Sequence, residues 1–152
     1  MGALLTALLT GCGVQIPTDP DGTLEAVRSS GELRVGVSPH PPFTTLPAGQ
    51  DQPPSGTEIE LVTGFARSVG AEPVFVVGGE EALVKQLEER EIDVLVGGLT
   101  ATSPWSNKVA FTRPYATTPE DGKQVKHVLA VVPGENALLS ELERYLDGEG
   151  GR

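Results

Sequence analysis

The feature that most constrains the fold of this chain is the alternation of helix-like and strand-like segments between residues 23 and 147. Residues 33–37 and 73–77 have the pattern of strands, and residues 92–96 form an almost wholly apolar one, as in a sheet covered on both faces. Residues 128–132 supply a further strand. Strands separated by helices pair in parallel through right-handed crossovers. We therefore predict an α/β fold with a single open, mainly parallel sheet flanked by helices.

Four helices are predicted, one before the first strand and the others between and after the strands. The first runs from Thr23, a candidate N-cap, to Arg28, and Gly31 ends it. The others begin near residues 58, 80 and 136. Apolar residues at helical spacing on their inward faces are Ile59, Val62, Ala66, Val69, Leu83, Leu87, Leu138, Leu139, Leu142 and Leu146.

Composition limits both the domain count and the partners. A chain of 152 residues, 38% apolar and 21% charged, fits one globular domain. Eleven Lys plus Arg against 21 Asp plus Glu give a formal net charge of −10, which repels phosphate backbones and anionic membrane surfaces. Nucleic acid is therefore not an expected partner.

The N-terminal stretch MGALLTALLTGC ends at the only cysteine of the sequence, Cys12. Its apolar run, residues 3–10, is too short to span a bilayer but suits the core of a signal peptide. Leu9-Thr10-Gly11-Cys12 resembles a bacterial lipobox, which implies acylation of the Cys12 thiol and a lipid-anchored chain. The alternative is a short buried helix with an incidental cysteine, because no Lys or Arg precedes the apolar run.

These patterns divide the chain into four parts. Residues 1–11 are the predicted signal peptide of lipoprotein type, and residues 12–22, rich in Pro, Asp and Gly, are a tether. Residues 23–147 are the folded lobe, in which residues 116–126 are predicted to be a polar, turn-like loop. Residues 148–152 are a predicted disordered tail.

Two loops are predicted to converge, because ligands of open α/β sheets bind beyond the carboxyl ends of the strands. The loop after the first strand contains Phe43, and the loop after the third contains Gly98, Thr100, Thr102 and Trp105. Glycine lets a ligand approach backbone N–H groups, threonines add hydroxyls, and the two aromatic rings offer flat apolar walls. These five residues are the candidate ligand contacts. Core packing and turn capping are the competing interpretations for them.

Five motifs, in this order, resemble the first lobe of the amino-acid-type, or family 3, solute-binding proteins of bacterial ABC transporters. They are GELRVGV at 31–37, PPF at 41–43, GTEIEL at 56–61, DVLVGGLTAT at 93–102 and FTRPY at 111–115. The similarity resumes near His127. In that family two α/β lobes of the type II periplasmic binding protein fold close on a small polar solute, and a lipid anchor keeps the receptor beside its permease.

Two departures from the resemblance bear on the ligand. Only eleven residues, 116–126, connect Tyr115 to His127 where the family has its second lobe, and a lone lobe buries only one side of a small ligand. Trp105 stands where the family usually carries an arginine that pairs with the ligand's carboxylate. Both departures predict poor binding of free amino acids.

The predicted function is that of a lipid-anchored, extracytoplasmic solute-binding protein that recognises a small polar or amino-acid-like solute and passes it to a membrane permease. The alternative is a single-lobe regulatory or interaction module for a membrane transporter or sensor, without free amino-acid binding. Phe43, Trp105 and the Gly97-Gly98 backbone are predicted to form an exposed lip. A membrane protein or, in a homodimer, a second copy of the chain would dock on it.

Catalysis finds little support in the sequence. His40 and His127 are expected on separate segments, and no Gly-x-Ser-x-Gly turn is present. No Cys/His cluster has metal-ligand spacing, and no phosphate-binding glycine loop occurs. Dehydratases and peptidoglycan lyases related to this fold use acidic residues in a two-lobed cleft or an attached domain. We therefore predict no catalytic residues, no metal and no cofactor.

Overall fold

The structure, a computed structural model, describes residues 20–49 and 52–149. The predicted signal peptide, Cys12 and most of the predicted tether lie outside the described residues. Within them, no helix has both the length and the apolar character needed to cross a membrane. The last helix continues to Glu149, so the first two residues of the predicted disordered tail are helical.

Helices and strands alternate up to residue 96, as the sequence predicts, and four consecutive strands then precede the last helix. The elements are α1 (Thr23–Ser30), β1 (Glu32–Val37), α2 (Thr57–Ser68), β2 (Glu72–Val77), α3 (Glu80–Glu88), β3 (Val94–Val96), a 3-10 helix (Pro104–Asn107), β4 (Ala110–Phe111), β5 (Ala116–Glu120), β6 (Lys123–His127), β7 (Ala130–Val131) and α4 (Asn136–Glu149). The strands predicted at 92–96 and 128–132 are shorter than expected, since β3 begins at Val94 and β7 has only two residues.

A five-stranded sheet in the order β2-β1-β3-β7-β4 forms the centre of the lobe. β1 pairs in parallel with β2 and with β3, while β7 runs antiparallel to β3 and β4. The crossovers through α2 and α3 produce the parallel part, because a strand that returns through a helix pairs in the same direction. The predicted α/β fold with a mainly parallel sheet is confirmed.

The core lies on both faces of the sheet. Val94 and Val96 pack in the cluster formed with α1, α2 and α4, whereas Leu95 packs in the cluster beside α3. This division follows from the strand's alternation, which sends successive side chains to opposite faces. The predicted inward residues of the helices are buried except Leu139, which is half-buried, and Phe65 is an additional fully buried member.

The N-terminus of α1 differs from the prediction. Gly22, and not Thr23, occupies the N-cap position, and no side chain there caps the helix. The backbone N–H groups of Asp21 and Thr23 donate instead to the carboxylate of buried Glu135, each at 3.3 Å. Arg90 pairs with the same carboxylate at 3.2 Å. A charged group from the start of α4 thus replaces the local cap.

The segment between Tyr115 and β7 also differs from the prediction. It is an antiparallel ribbon, β5 and β6, in which Glu120 is opposite Lys123. Asp121 and Gly122 form the two-residue turn with φ angles of 46° and 74°, as a type I′ hairpin turn requires. Asp-Gly is a strong hairpin signal, so the sequence contained the information that the prediction of a loop overlooked.

Candidate functional site

The loops after β1 and β3 meet at the carboxyl ends of these strands, as predicted. The Ser38 N–H donates to the carbonyl of Val96 at 2.9 Å. Gly98 has φ +64°, and a Cβ added there would lie 2.6 Å from Cδ2 of His40. Glycine is therefore required at this position both for its backbone conformation and for the close approach of the imidazole.

Glu58, at the start of α2, holds the loop after β3 through hydrogen bonds inside the lobe. Its side chain is fully buried, and its Oε2 accepts hydrogen bonds from the N–H groups of Gly97 at 2.8 Å and Gly98 at 3.0 Å. The Tyr115 hydroxyl donates to Oε1 at 2.5 Å. The two backbone donors that we expected a ligand to approach are thus already used inside the lobe.

The two ionisable groups of this cluster, the Glu58 carboxyl and the Tyr115 hydroxyl, both have raised pKa values. Burial raises the pKa of Glu58, and the hydrogen bonds from Gly98, Tyr115 and Gly97 act in the opposite direction without cancelling it. Burial also raises the pKa of the Tyr115 hydroxyl, and the neighbouring Glu58 carboxylate adds to the effect. Tyr115 therefore stays a neutral donor throughout the physiological range.

Glu58 was not predicted from the sequence to make this contact. The available signal was its position, four residues before Val62 and seven before Phe65, both fully buried. That spacing places Glu58 on the inward face of α2. A carboxylate on an inward face needs donors, and the two glycines of the next loop supply them.

Four aromatic rings lie beside this group, in tilted pairs. The centroid of the half-buried Phe43 ring lies 4.4 Å from that of His127 and 5.8 Å from that of His40. The centroid of Tyr115 lies 6.4 Å from that of His127. The two histidines, expected on separate segments, therefore flank the same phenylalanine.

His127 is buried at the end of β6, with 1% of its surface exposed. Its Nε2 lies 2.7 Å from the Thr118 hydroxyl and 3.8 Å from the Glu120 carboxylate. Its Nδ1 has no hydrogen-bond partner among the residues that the structure describes. The ribbon thus carries a buried imidazole into the site.

The hydroxyls of Thr100 and Thr102 lie 3.2 Å apart at the rim of the site. Thr100 forms an isolated antiparallel bridge with His127, and the Ala101 N–H donates to the carbonyl of Lys126 at 2.9 Å. Residues 100–102 and 123–126 together line a cavity of about 330 Å³. The ribbon therefore forms a wall facing the threonines.

Trp105 lies in different surroundings from Phe43. It is half-buried in the 3-10 helix and packs against the core cluster beside α3, and its indole N–H donates to the Glu80 carboxylate. The Lys108 ammonium lies over the ring, 5.8 Å from the centroid. Because Gly97 and Gly98 are buried, the exposed lip predicted from Phe43, Trp105 and the two glycines is not formed.

Between residues 20 and 149, leaving aside residues 50 and 51, no group of three or more His, Cys, Asp or Glu side chains is arranged to hold a metal ion. The concentration of aromatic rings and hydroxyls around a fixed loop is instead typical of a site for a small organic molecule.

The family model of the bacterial extracellular solute-binding proteins, family 3, matches residues 33–147. The chain belongs to this family. The match begins within β1 and ends within α4, so it includes every strand of the central sheet.

The relatives of the chain include murein transglycosylases and amino-acid-binding proteins. The chain is 37% identical over 120 residues to the membrane-bound lytic murein transglycosylase F of Maricaulis maris, covering 77% of this chain and 26% of that protein. It is 29% identical over 116 residues to the L-cystine-binding protein TcyJ of Escherichia coli K12, covering 76% and 42%. The chain thus spans less than half the length of these two relatives.

A solved structure of similar extent also matches. The arginine-bound form of domain 1 from TmArgBP, in a Phe-to-Trp mutant, superposes with a TM-score of 0.75 at 27% identity. The superposition covers 85% of this chain and 99% of that domain. The resemblance to one lobe of an amino-acid-binding protein is therefore confirmed.

Proposed function

We propose that this lobe binds a small polar or amino-acid-like solute where the loops after β1 and β3 meet the β5–β6 ribbon. The observation that carries the proposal is the cavity between residues 100–102 and 123–126. A ribbon in place of the second lobe gives a lone lobe a second wall, which raises the fraction of a ligand's surface that it covers. The related domain 1 of TmArgBP, crystallised in an arginine-bound form, supports binding by a single lobe.

The proposed contacts are Phe43, Thr100 and Thr102, with Gly98 as the residue that sets the course of the loop between them. Phe43 offers a half-buried ring, the buried Gly98 lets the His40 imidazole pack against the loop, and the threonine hydroxyls serve as donors or acceptors. Trp105 contributes only through its ring, because its N–H is engaged by Glu80. With two backbone donors held by Glu58 and no arginine at position 105, we expect binding weaker than about 1 μM.

The experiment is a calorimetric titration with L-arginine, L-cystine and L-histidine in turn. We expect at least one solute to bind, and Thr100→Ala to weaken that binding. Thr63→Ala should leave it unchanged, because Thr63 lies in α2 and does not line the cavity. Heats of dilution alone for all three, together with no change in Trp105 fluorescence, would count against solute binding by these amino acids.

The proposal includes an extracytoplasmic location and a lipid anchor at Cys12, from which the lobe passes its solute to a membrane permease. Support comes from the lipobox-like Leu9-Thr10-Gly11-Cys12 and from the family's extracellular description. Cys12→Ser should move the protein from the membrane fraction to the soluble fraction and remove acyl label. Equal solubility of both forms, with no label on the parent, would refute the anchor.

The alternative function, a regulatory or interaction module for a membrane protein, is favoured by one observation. The donors of Gly97 and Gly98 are committed to Glu58, which leaves fewer groups for a solute. The partner would be a transporter or sensor, or a second copy of the chain. Crosslinking in cells that captures a membrane protein, combined with silent solute titrations, would favour this function.

A further inference from the structure

β6 brings two lysines to the cavity that faces Thr100 and Thr102. Lys123 and Lys126 are exposed residues on its wall. Within the described part of the chain neither ammonium has a carboxylate at ion-pair distance, whereas Lys85 and Lys108 pair with Glu89 and Glu88. The chain has a net charge of −10, so two lysines without a carboxylate partner make this cavity locally positive on a negatively charged protein.

The register of the ribbon distinguishes the two lysines. Successive residues of a strand point to opposite faces, so Lys123, Val125 and His127 share one face and Gln124 and Lys126 share the other. Thr100 is bridged to His127, and its side chain therefore lies on the face of Lys123. Thr118 lies on the same face, with its hydroxyl 2.7 Å from Nε2 of His127.

Resting on the proposed function, we propose that Lys123 and the hydroxyls of Thr100 and Thr102 form a subsite for the carboxylate of the solute. An ammonium group and two hydroxyls are suitable donors for a carboxylate, and the pair with lysine is charge-assisted. The subsite supplies the positive charge that position 105 lacks. The ligand class is thus a carboxylate-bearing solute, and Lys123 is its specificity determinant.

Glu120 is the acidic residue that faces Lys123 across the ribbon. Its carboxylate, however, lies 3.8 Å from Nε2 of His127 and 3.4 Å from the Thr118 hydroxyl. It is directed along its own strand toward the imidazole. Its charge still opposes an incoming anion, so Glu120→Gln should strengthen carboxylate binding.

The first test uses acetate as the probe and records amide NMR shifts at constant ionic strength, with chloride as the balancing anion. We expect saturable shifts at Thr100, Thr102 and Lys123 in the parent and in Lys85→Gln, which removes the same charge away from the cavity. Lys123→Gln should weaken acetate binding at least about threefold. No saturable shift in the parent, or equal affinity in Lys123→Gln, would overturn the subsite.

The second test separates the subsite from the proposed function by comparing L-arginine with agmatine, its decarboxylated analogue. We expect tighter binding of arginine, and loss of this preference in Lys123→Gln but not in Lys85→Gln. Equal binding of both compounds to the parent would overturn the subsite and leave solute binding intact. Binding of neither would count against arginine as the solute, while the acetate titration still decides the subsite.

Discussion

The hydroxyl of Tyr115 donates to Oε1 of Glu58 at 2.5 Å, and this contact joins the start of α2 to the end of the segment that leads into the ribbon. The other carboxylate oxygen holds the loop after β3 through Gly97 and Gly98. One buried carboxylate therefore fixes three separate parts of the candidate site. The shape of the site depends on an interaction that no ligand can reach.

Removal of the Glu58 carboxylate should destabilise the lobe. Glu58→Ala leaves three buried donors without an acceptor, and we expect the free energy of unfolding to fall by about 3 kcal/mol. Glu58→Gln keeps the volume and one acceptor oxygen, so its loss should be about 1 kcal/mol. Urea denaturation of both variants measures this, with exposed Glu60→Ala as the control on the same helix. Equal stability of Glu58→Ala and Glu60→Ala would contradict the role of Glu58 as the acceptor for these three donors.

The raised pKa of Glu58 predicts a pH dependence of stability. The folded state binds the Glu58 proton more tightly than the unfolded state, so this group's contribution is fully present below its ordinary value of 4.5 and is lost as pH rises from there through the folded pKa. We expect the parent to lose stability relative to Glu58→Gln over this window. The measurement is the urea midpoint of the parent and of Glu58→Gln at a series of pH values. All other titrating groups are common to the two proteins, so parallel curves would show that the prediction is wrong.

Tyr115 should keep its hydroxyl proton in alkaline solution for as long as the lobe is folded. Its raised pKa means that the folded state keeps its proton, so stability is lost as pH rises above about 10, where an unfolded tyrosine ionises. We expect the phenolate absorbance that belongs to Tyr115, obtained as the difference between the parent and Tyr115→Phe, to appear only as the lobe unfolds. A difference curve with its midpoint near pH 10 in the folded protein would refute the prediction.

The sequence predicted the sheet and its helices because the periodicity of apolar residues is a local property. Ile59, Val62 and Leu83 could be placed without knowledge of the rest of the fold. The contact between Glu58 and Gly97 could not, because it joins residues 39 positions apart and depends on how α2 packs over β3. The same holds for Phe43 and His127, which meet only after the ribbon has folded back on the lobe.

The sequence therefore predicted which two loops meet at the carboxyl ends of the strands, but not the contacts that hold them together. Its two loops, and the threonines within one of them, follow from the rule that ligands bind at the carboxyl ends of parallel strands. The ribbon was predicted as a loop because its polar composition outweighed the Asp121-Gly122 signal. The side of the site that the ribbon supplies, including Lys123 and His127, was missed for that reason.

The turn of the ribbon provides a last prediction, on Gly122. Its φ of 74° is unfavourable for residues with a Cβ, although a Cβ there would meet nothing within 4 Å. Gly122→Ala should therefore cost about 1 kcal/mol of stability through backbone strain alone, and Gly122→Asn less, because asparagine tolerates this conformation. Gly148→Ala is the matched control, since that glycine is equally unobstructed but helical, and the change should stabilise slightly. Because Gly122 adjoins Lys123, Gly122→Ala should also weaken acetate binding; equal stability and equal acetate affinity in the Ala and Asn variants would show that the turn does not position the lysine.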